Sequence, residues 1–114
     1  MPKSAHAMVL KDEWLPEARE DLNAELEYVF SEFGVQAAEN VYRKIVEYID
    51  NLRFFPNIGK LWGDIVYKGN EVRILSLRQT SLIYCICGKR LLVIALWNNR
   101  RDDKNIKTMI QSRQ

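Results

Sequence analysis

Four arginines, Arg73, Arg78, Arg100 and Arg101, are the side chains of this chain best suited to chemistry. A guanidinium stays charged throughout the physiological range, and its planar fork of donors matches phosphate or carboxylate two bonds at a time. Arg73 and Arg78 flank one β-rich segment, Val72 to Leu77. Arg100 and Arg101 follow directly on another, in Trp97-Asn98-Asn99-Arg100-Arg101-Asp102. Lys60 and Lys68 lie upstream in the same half of the chain. If these segments are neighbouring strands, the arginines converge at one end of a sheet, because a polar run closing an all-apolar strand marks a rim. Trp97 suits core packing there as well as it suits a stacking platform for a base or a partner side chain.

The bulk composition hides how unevenly charge is distributed. Residues 1–52 carry five Lys/Arg against eleven Asp/Glu, and residues 53–114 carry twelve against four, so a net charge of +2 conceals an acidic half and a basic half. A fold that sets the halves in opposite layers presents one cationic face, which concentrates and orients anionic partners, whether nucleic acid or acidic peptide.

Other chemistries find little support. Asp102 and Asp103 are the adjacent acids of the basic half and read as a helix cap rather than an acid–base pair. The acids of the first helical segment repeat as a solvated face. Phosphate-cradling glycine loops, nucleophile elbows and HExxH spacing are missing. Tyr28, Tyr42, Tyr48 and Tyr84 read as packing residues with hydrogen-bonded tips. Cys85 and Cys87 point the same way on one strand and read as buried, reduced thiols. His6 is the sole histidine, so no Cys/His metal set can be assembled, and neither metal nor cofactor is expected.

The elements that position these residues follow from periodicity. Val9 to Trp14 reads as a short strand. Pro16 then opens a helix whose apolar stripe is Leu15, Ala18, Leu22, Leu26, Val29 and Phe33, ending at Gly34 in a left-handed cap. A second helix carries Ala38, Val41, Tyr42, Ile45, Ile49 and Leu52 and stops before Pro56. The short link makes the pair an antiparallel hairpin. A partly packed loop follows, with a short strand around Ile65 to Tyr67. The period then changes to two: Val72 to Leu77, Leu82 to Cys87 and Leu91 to Trp97 form an antiparallel meander with turns at Gln79-Thr80 and Gly88-Lys89. Leu91 to Trp97, apolar at every position, fits a strand covered on both faces. Asp102 to Gln114 is a short terminal helix in need of a surface to pack on. The fold class is α+β: two layers, an N-terminal strand, an antiparallel helix hairpin and a C-terminal meander of three or four strands. Residues 1–7 read as a flexible leader without a secretory apolar stretch, 8–104 as one domain and 105–114 as a terminal helix or tail.

In this order the elements resemble the RelE/ParE superfamily of bacterial type II toxin–antitoxin toxins, also called plasmid-stabilisation proteins. The residues carrying the resemblance are Pro16-Glu17-Ala18-Arg19-Glu20-Asp21-Leu22, Leu52-Arg53-Phe54-Phe55-Pro56-Asn57-Ile58-Gly59, Glu71-Val72-Arg73-Ile74-Leu75, Ser81-Leu82-Ile83-Tyr84-Cys85-Ile86 and Leu96 to Asp102. The resemblance implies a cytoplasmic growth inhibitor neutralised by a cognate antitoxin, with no membrane partner. It leaves a homodimer or a toxin–antitoxin hetero-oligomer open.

The superfamily divides by mechanism. RelE-like members are ribosome-dependent endoribonucleases that cut mRNA, whereas ParE-like members inhibit DNA gyrase and cleave nothing. For a nuclease, Arg73, Arg78, Arg100, Arg101, Lys60 and Lys68 could stabilise the phosphorane charge, but a general acid and base are also needed. RelE-like enzymes place a Tyr or His near the end of the sheet; here no Tyr follows Tyr84 and no His follows His6. The ParE-like reading is therefore favoured, with mRNA cleavage as the alternative and a non-toxic nucleic-acid-binding module as a third. In either toxin reading the residues facing the target or the antitoxin are Arg73, Arg78, Trp97, Asn99, Arg100 and Arg101, on a sheet face left uncovered by the helices.

Overall fold

The computed structural model describes residues 9–114; the leader expected over residues 1–7, with His6, lies outside them. Strand β1 (Lys11–Trp14) leads into helices α1 (Pro16–Phe33) and α2 (Val35–Phe54). Strands β2 (Lys60–Tyr67), β3 (Asn70–Ser76), β4 (Thr80–Cys87) and β5 (Arg90–Asn98) follow, then helix α3 (Asn105–Ser112). The sheet order is β1-β5-β4-β3-β2, antiparallel throughout except for β1, which runs parallel to β5. The α+β class, the hairpin and the meander expected from periodicity are all present. The short strand expected around Ile65 to Tyr67 is the end of a longer β2, irregular between Leu61 and Val66.

Local chemistry explains the turns of the chain. Pro16 stands at the start of α1, where its missing N–H leaves no bond unmade. Gly34 joins the helices with φ 93° and ψ 176°, an extended positive-φ conformation that side chains disfavour rather than the expected left-handed cap, and its N–H returns to Phe30 O at 2.9 Å. Leu10 and Arg53 clasp each other at the base of the hairpin. Leu10 N donates to Arg53 O at 3.0 Å, and Arg53 Nε donates to Leu10 O at 2.9 Å.

Two cores share the sheet. On one face Ala18, Ile45, Ile49 and Leu52 of the hairpin pack on Leu82, Tyr84, Leu91, Val93 and Leu96. On the other, Ile106 and Ile110 of α3 pack with Ile65, Val72, Ile74, Ile83, Ile94 and Trp97. A bulge makes this two-sided burial possible. The β4–β5 register slips between Ile83 and Tyr84, so Ile83 pairs with Ala95 while Tyr84 pairs with Val93. The inserted Ile94 resets the alternation: Leu91 and Val93 face the hairpin before it and Leu96 after it, while Leu92, Ile94, Ala95 and Trp97 face α3. An all-apolar β5 is thus required by covering on both sides, as its sequence implies.

The same covering corrects the expectation of an open sheet face. The terminal helix found its surface there, and the arginines cannot be displayed across it. Tyr28, Tyr42 and Tyr48 depart from expectation too: they lie on the flanks of the hairpin at 40%, 51% and 39% exposure rather than in a core. The thiols behave as expected, with Cys85 buried, Cys87 half-buried and their sulfurs 3.4 Å apart, unbridged. No helix among the described residues is long and apolar enough to cross a membrane.

Candidate functional site

Arg73 and Tyr84 are cross-strand partners on the hairpin side of β3 and β4. Both are consumed by the link between α2 and β2. Arg73 Nη1 donates to Gly59 O at 2.7 Å and to Asn57 O at 3.3 Å. The Tyr84 hydroxyl donates to Pro56 O at 2.6 Å and accepts from Gly59 N at 3.0 Å. Burial pushes the Tyr84 phenol above its ordinary pKa, against the opposing pull of the Gly59 N–H and Arg73. Arg73 is therefore a half-buried strut tied to the link, a correction to its expected place on an uncovered face. The physical reason is that the link carbonyls need donors once β3 and β4 cover them.

The other arginines do gather at one end of the sheet, where the β3–β4 turn meets the end of β5. Leu77 N bonds Thr80 O at 2.8 Å to close that turn, and Asn99 N bonds Gln79 O at 2.9 Å to seal it against β5. Arg78, Asn99, Arg100 and Arg101 all leave this rim exposed. They do not share a face. Arg100 swings to the hairpin side, with its Nη2 3.6 Å from Glu25 Oε1 and its guanidinium stacked 4.1 Å from the Tyr28 ring centre. Arg101 turns to the α3 side and lies 4.4 Å from the Trp97 ring centre. Strand alternation sends successive residues to opposite sides, and the rim continues that habit. Trp97 is 3% exposed and belongs to the core against α3, so it is no open platform. Lys60 starts β2 beside the Gly59 link, paired with Ile74 toward the same end of the sheet, whereas Lys68 sits in the β2–β3 turn at the far end and stands apart from the cluster.

On the hairpin side this rim borders a cleft of about 550 Å³. Its walls are Val29 and Phe33 of α1, Val41, Ile45 and Tyr48 of α2, and Leu77 of the β3–β4 turn. The cleft exists because the hairpin and the twisted sheet part company toward the hairpin tip. The buried residues of α2 are Ile45, Ile49 and Leu52, all in its second half, whereas Val35 at its start is 59% exposed. Lys44 and Arg78 stand at the mouth with no acidic partner within ion-pair distance among the described residues, and Arg100 stands over Glu25 beside them. An apolar floor under cationic groups suits a segment that is itself apolar and acidic.

Glu25, Tyr28, Lys44 and Tyr48 line this site and were not expected from the sequence. Glu25 carried a readable signal. It falls three residues after Leu22 and four before Val29, on the apolar stripe rather than on the solvated face with the other acids. Burial raises its carboxyl above the ordinary 4.5, and Arg100 pulls it back only in part. The folded state thus holds the proton more tightly than the unfolded chain does. Stability contributed by protonated Glu25 is complete below the unfolded value and is lost as pH rises through the higher folded value. Urea unfolding between pH 4 and 8 should therefore show the wild type losing stability relative to Glu25→Gln as pH rises. The opposite slope would mean that Arg100 outweighs burial.

Comparisons with known proteins place these features in context. The model of a family described as "ParE toxin of type II toxin-antitoxin system, parDE" matches residues 13–103. A solved structure of the chromosomal ParDE TA system from P. aeruginosa is similar in fold, with a TM-score of 0.66 at 21% identity over 80% of this chain and 97% of that one. No curated protein matches.

Proposed function

The chain belongs to the ParE toxin family of type II toxin–antitoxin systems, and from that premise we propose that it arrests growth by inhibiting DNA gyrase and that a cognate antitoxin neutralises it in the cytoplasm. The observation that carries this reading over RNA cleavage is the fate of Arg73 and Tyr84. A nuclease needs a guanidinium for the phosphorane and a proton donor or acceptor beside it. Here both side chains are bound to the α2–β2 link, and Tyr84 is wholly buried. Arg100 and Arg101 diverge to opposite sides of the rim, which spreads charge over a contact surface instead of focusing it on one phosphate.

The target is read as meeting the rim through Arg78, Asn99, Arg100 and Arg101, while Arg73 and Trp97 support it from within. The antitoxin is read as seating an acidic, apolar segment in the hairpin cleft, with its carboxylates at Lys44, Arg78 and Arg100. Induction in bacteria lacking the antitoxin, followed by a supercoiling assay on purified gyrase, tests the target. Loss of supercoiling is expected; translation-dependent mRNA cuts with intact supercoiling would replace this reading by the RelE-like one. For the cleft, Lys44→Glu with Arg78→Glu should weaken the antitoxin about tenfold or more, through a slower association whose fall with ionic strength is lost or reversed. Titration calorimetry at two ionic strengths measures it, and an unchanged affinity would move the antitoxin elsewhere.

A further inference from the structure

The α3 side of the rim holds a second hollow, whose interior neither the target nor the antitoxin reading fills. Its origin lies in the side-chain rows of the sheet. Ile74 stands opposite Ile83 on this face, but one row outward Ser76 stands opposite Ser81, and Trp97 stands opposite Ser81 in turn. Two serines where two isoleucines came before leave a gap of about 410 Å³, walled by Trp62 and Trp97. The floor is polar: Ser81 Oγ donates to Asn99 Oδ1 at 2.8 Å and lies 3.5 Å from Ser76 Oγ. The Arg101 guanidinium covers Trp97 from the solvent side. The Trp97 indole N–H is buried and has no acceptor among the described residues. A buried donor without an acceptor is costly, and a native fold that keeps one invites an explanation.

We propose that this hollow binds one unpaired nucleobase of a single-stranded nucleic acid. A base is planar and stacks on a guanidinium or an indole, and its edge carries the carbonyls and ring nitrogens that serine hydroxyls, the Asn99 amide and an unsatisfied indole N–H can engage. The size suits a nucleoside rather than a duplex, whose bases are stacked within the helix. Charge narrows the ligand further. Asp102 and Asp103 also border the hollow, against the single cation Arg101. Asp102 is exposed, its Oδ1 accepting from Lys104 N at 2.9 Å in a local turn, and it keeps its charge near the site. A singly charged phosphodiester is thus favoured over a terminal phosphate with nearly two charges. The inference stands apart from antitoxin binding, which uses the hairpin side, and shares only Asn99 and Arg101 with the surface read as meeting the target.

The chain has three tryptophans, so an amide-nitrogen NMR spectrum of the labelled full chain resolves three indole signals, for Trp14, Trp62 and Trp97. Titration with the trinucleotides of thymidine and of deoxyadenosine should shift the Trp62 and Trp97 signals saturably and leave Trp14 in place. Arg101→Ala, an exposed change, should weaken the response at least tenfold, and Ser81→Val, which fills the floor, should abolish it. Thymidine 5′-monophosphate should bind more weakly than the trinucleotide, and inorganic phosphate should shift neither signal. The proposal is overturned if the trinucleotides leave both signals unmoved, if phosphate alone reproduces the shifts, if the free nucleotide binds as well as the strand, or if Arg101→Ala changes nothing.

Discussion

Gly59→Ala is expected to lower the unfolding free energy by about 3 kcal/mol or more, since over-packing of a tight site and loss of a buried hydrogen bond each cost roughly 1–3 kcal/mol. The glycine is needed for space and not for an unusual backbone angle. A methyl built there would stand 2.5 Å from the Tyr84 hydroxyl, 2.9 Å from its ring edge and 3.0 Å from Ile74 O. Neither neighbour can yield cheaply. Tyr84 is wholly buried, and its hydroxyl is held between Pro56 O and Gly59 N; Ile74 O is backbone in the middle of the sheet. Tyr84→Phe alone should cost about 1–3 kcal/mol by stranding the link carbonyl and amide. In the double variant the hydroxyl that the methyl strikes is gone, so the two losses should overlap rather than add. Equilibrium urea unfolding of the four proteins measures the coupling. Simple additivity would show that the methyl is accommodated without touching Tyr84.

Arg113→Ala should cost about 3 kcal/mol and loosen α3 from the sheet, for a reason that lies at the edge of β5. Strand β1 pairs with β5 only as far as Val93, because the chain turns there into α1. Beyond that point β5 has no strand beside it, and side chains take over. Asp21 Oδ2 accepts from Leu96 N at 3.1 Å, and Arg113 Nη1 donates to Ile94 O at 3.0 Å. The two side chains lock together through bonds of 2.7 and 3.0 Å. Breaking a buried ion pair by removing one partner costs about 3–5 kcal/mol. With side-chain exposures of 15% and 21% this pair is screened in part, which lowers the figure. The stranded Ile94 carbonyl adds about 1 kcal/mol. Arg113→Lys keeps the charge but not the fork, and should fall between. Hydrogen exchange of the α3 amides, with dye binding to the uncovered Ile106 and Ile110 surface, separates this from a uniform loss. Full α3 protection in Arg113→Ala would show that apolar packing alone holds the helix.

Both effects rest on residues whose role no local pattern announces. Asp21 reads as one acid among several at the start of α1, and Arg113 as a cation near the end of the chain, yet they meet across 92 positions. Glu25 is a middle case: its place on the apolar stripe was visible, but its partner Arg100 was not. The arginines at the rim were foreseen at one sheet end, which strand order alone sufficed to suggest. Their division between two sides was not foreseen, since it depends on how the chain leaves β5.

The sequence by itself determined the helices, the meander and the all-apolar strand, because hydrophobic periodicity and the placement of Pro and Gly act within a few residues of themselves. It also determined the opposition of acidic and basic halves, which composition carries without a fold. Only the tertiary structure decided which charges stay available. Arg73 is tied to carbonyls of the α2–β2 link and the second sheet face is taken by α3, whereas Arg78, Arg100 and Arg101 stay exposed at the rim. Such pairings are set by strand register, by a bulge at Ile94 and by the ending of β1 at Trp14. These features bring together groups far apart in the chain, and their energy comes from satisfying buried polar groups that exist only once the layers have closed.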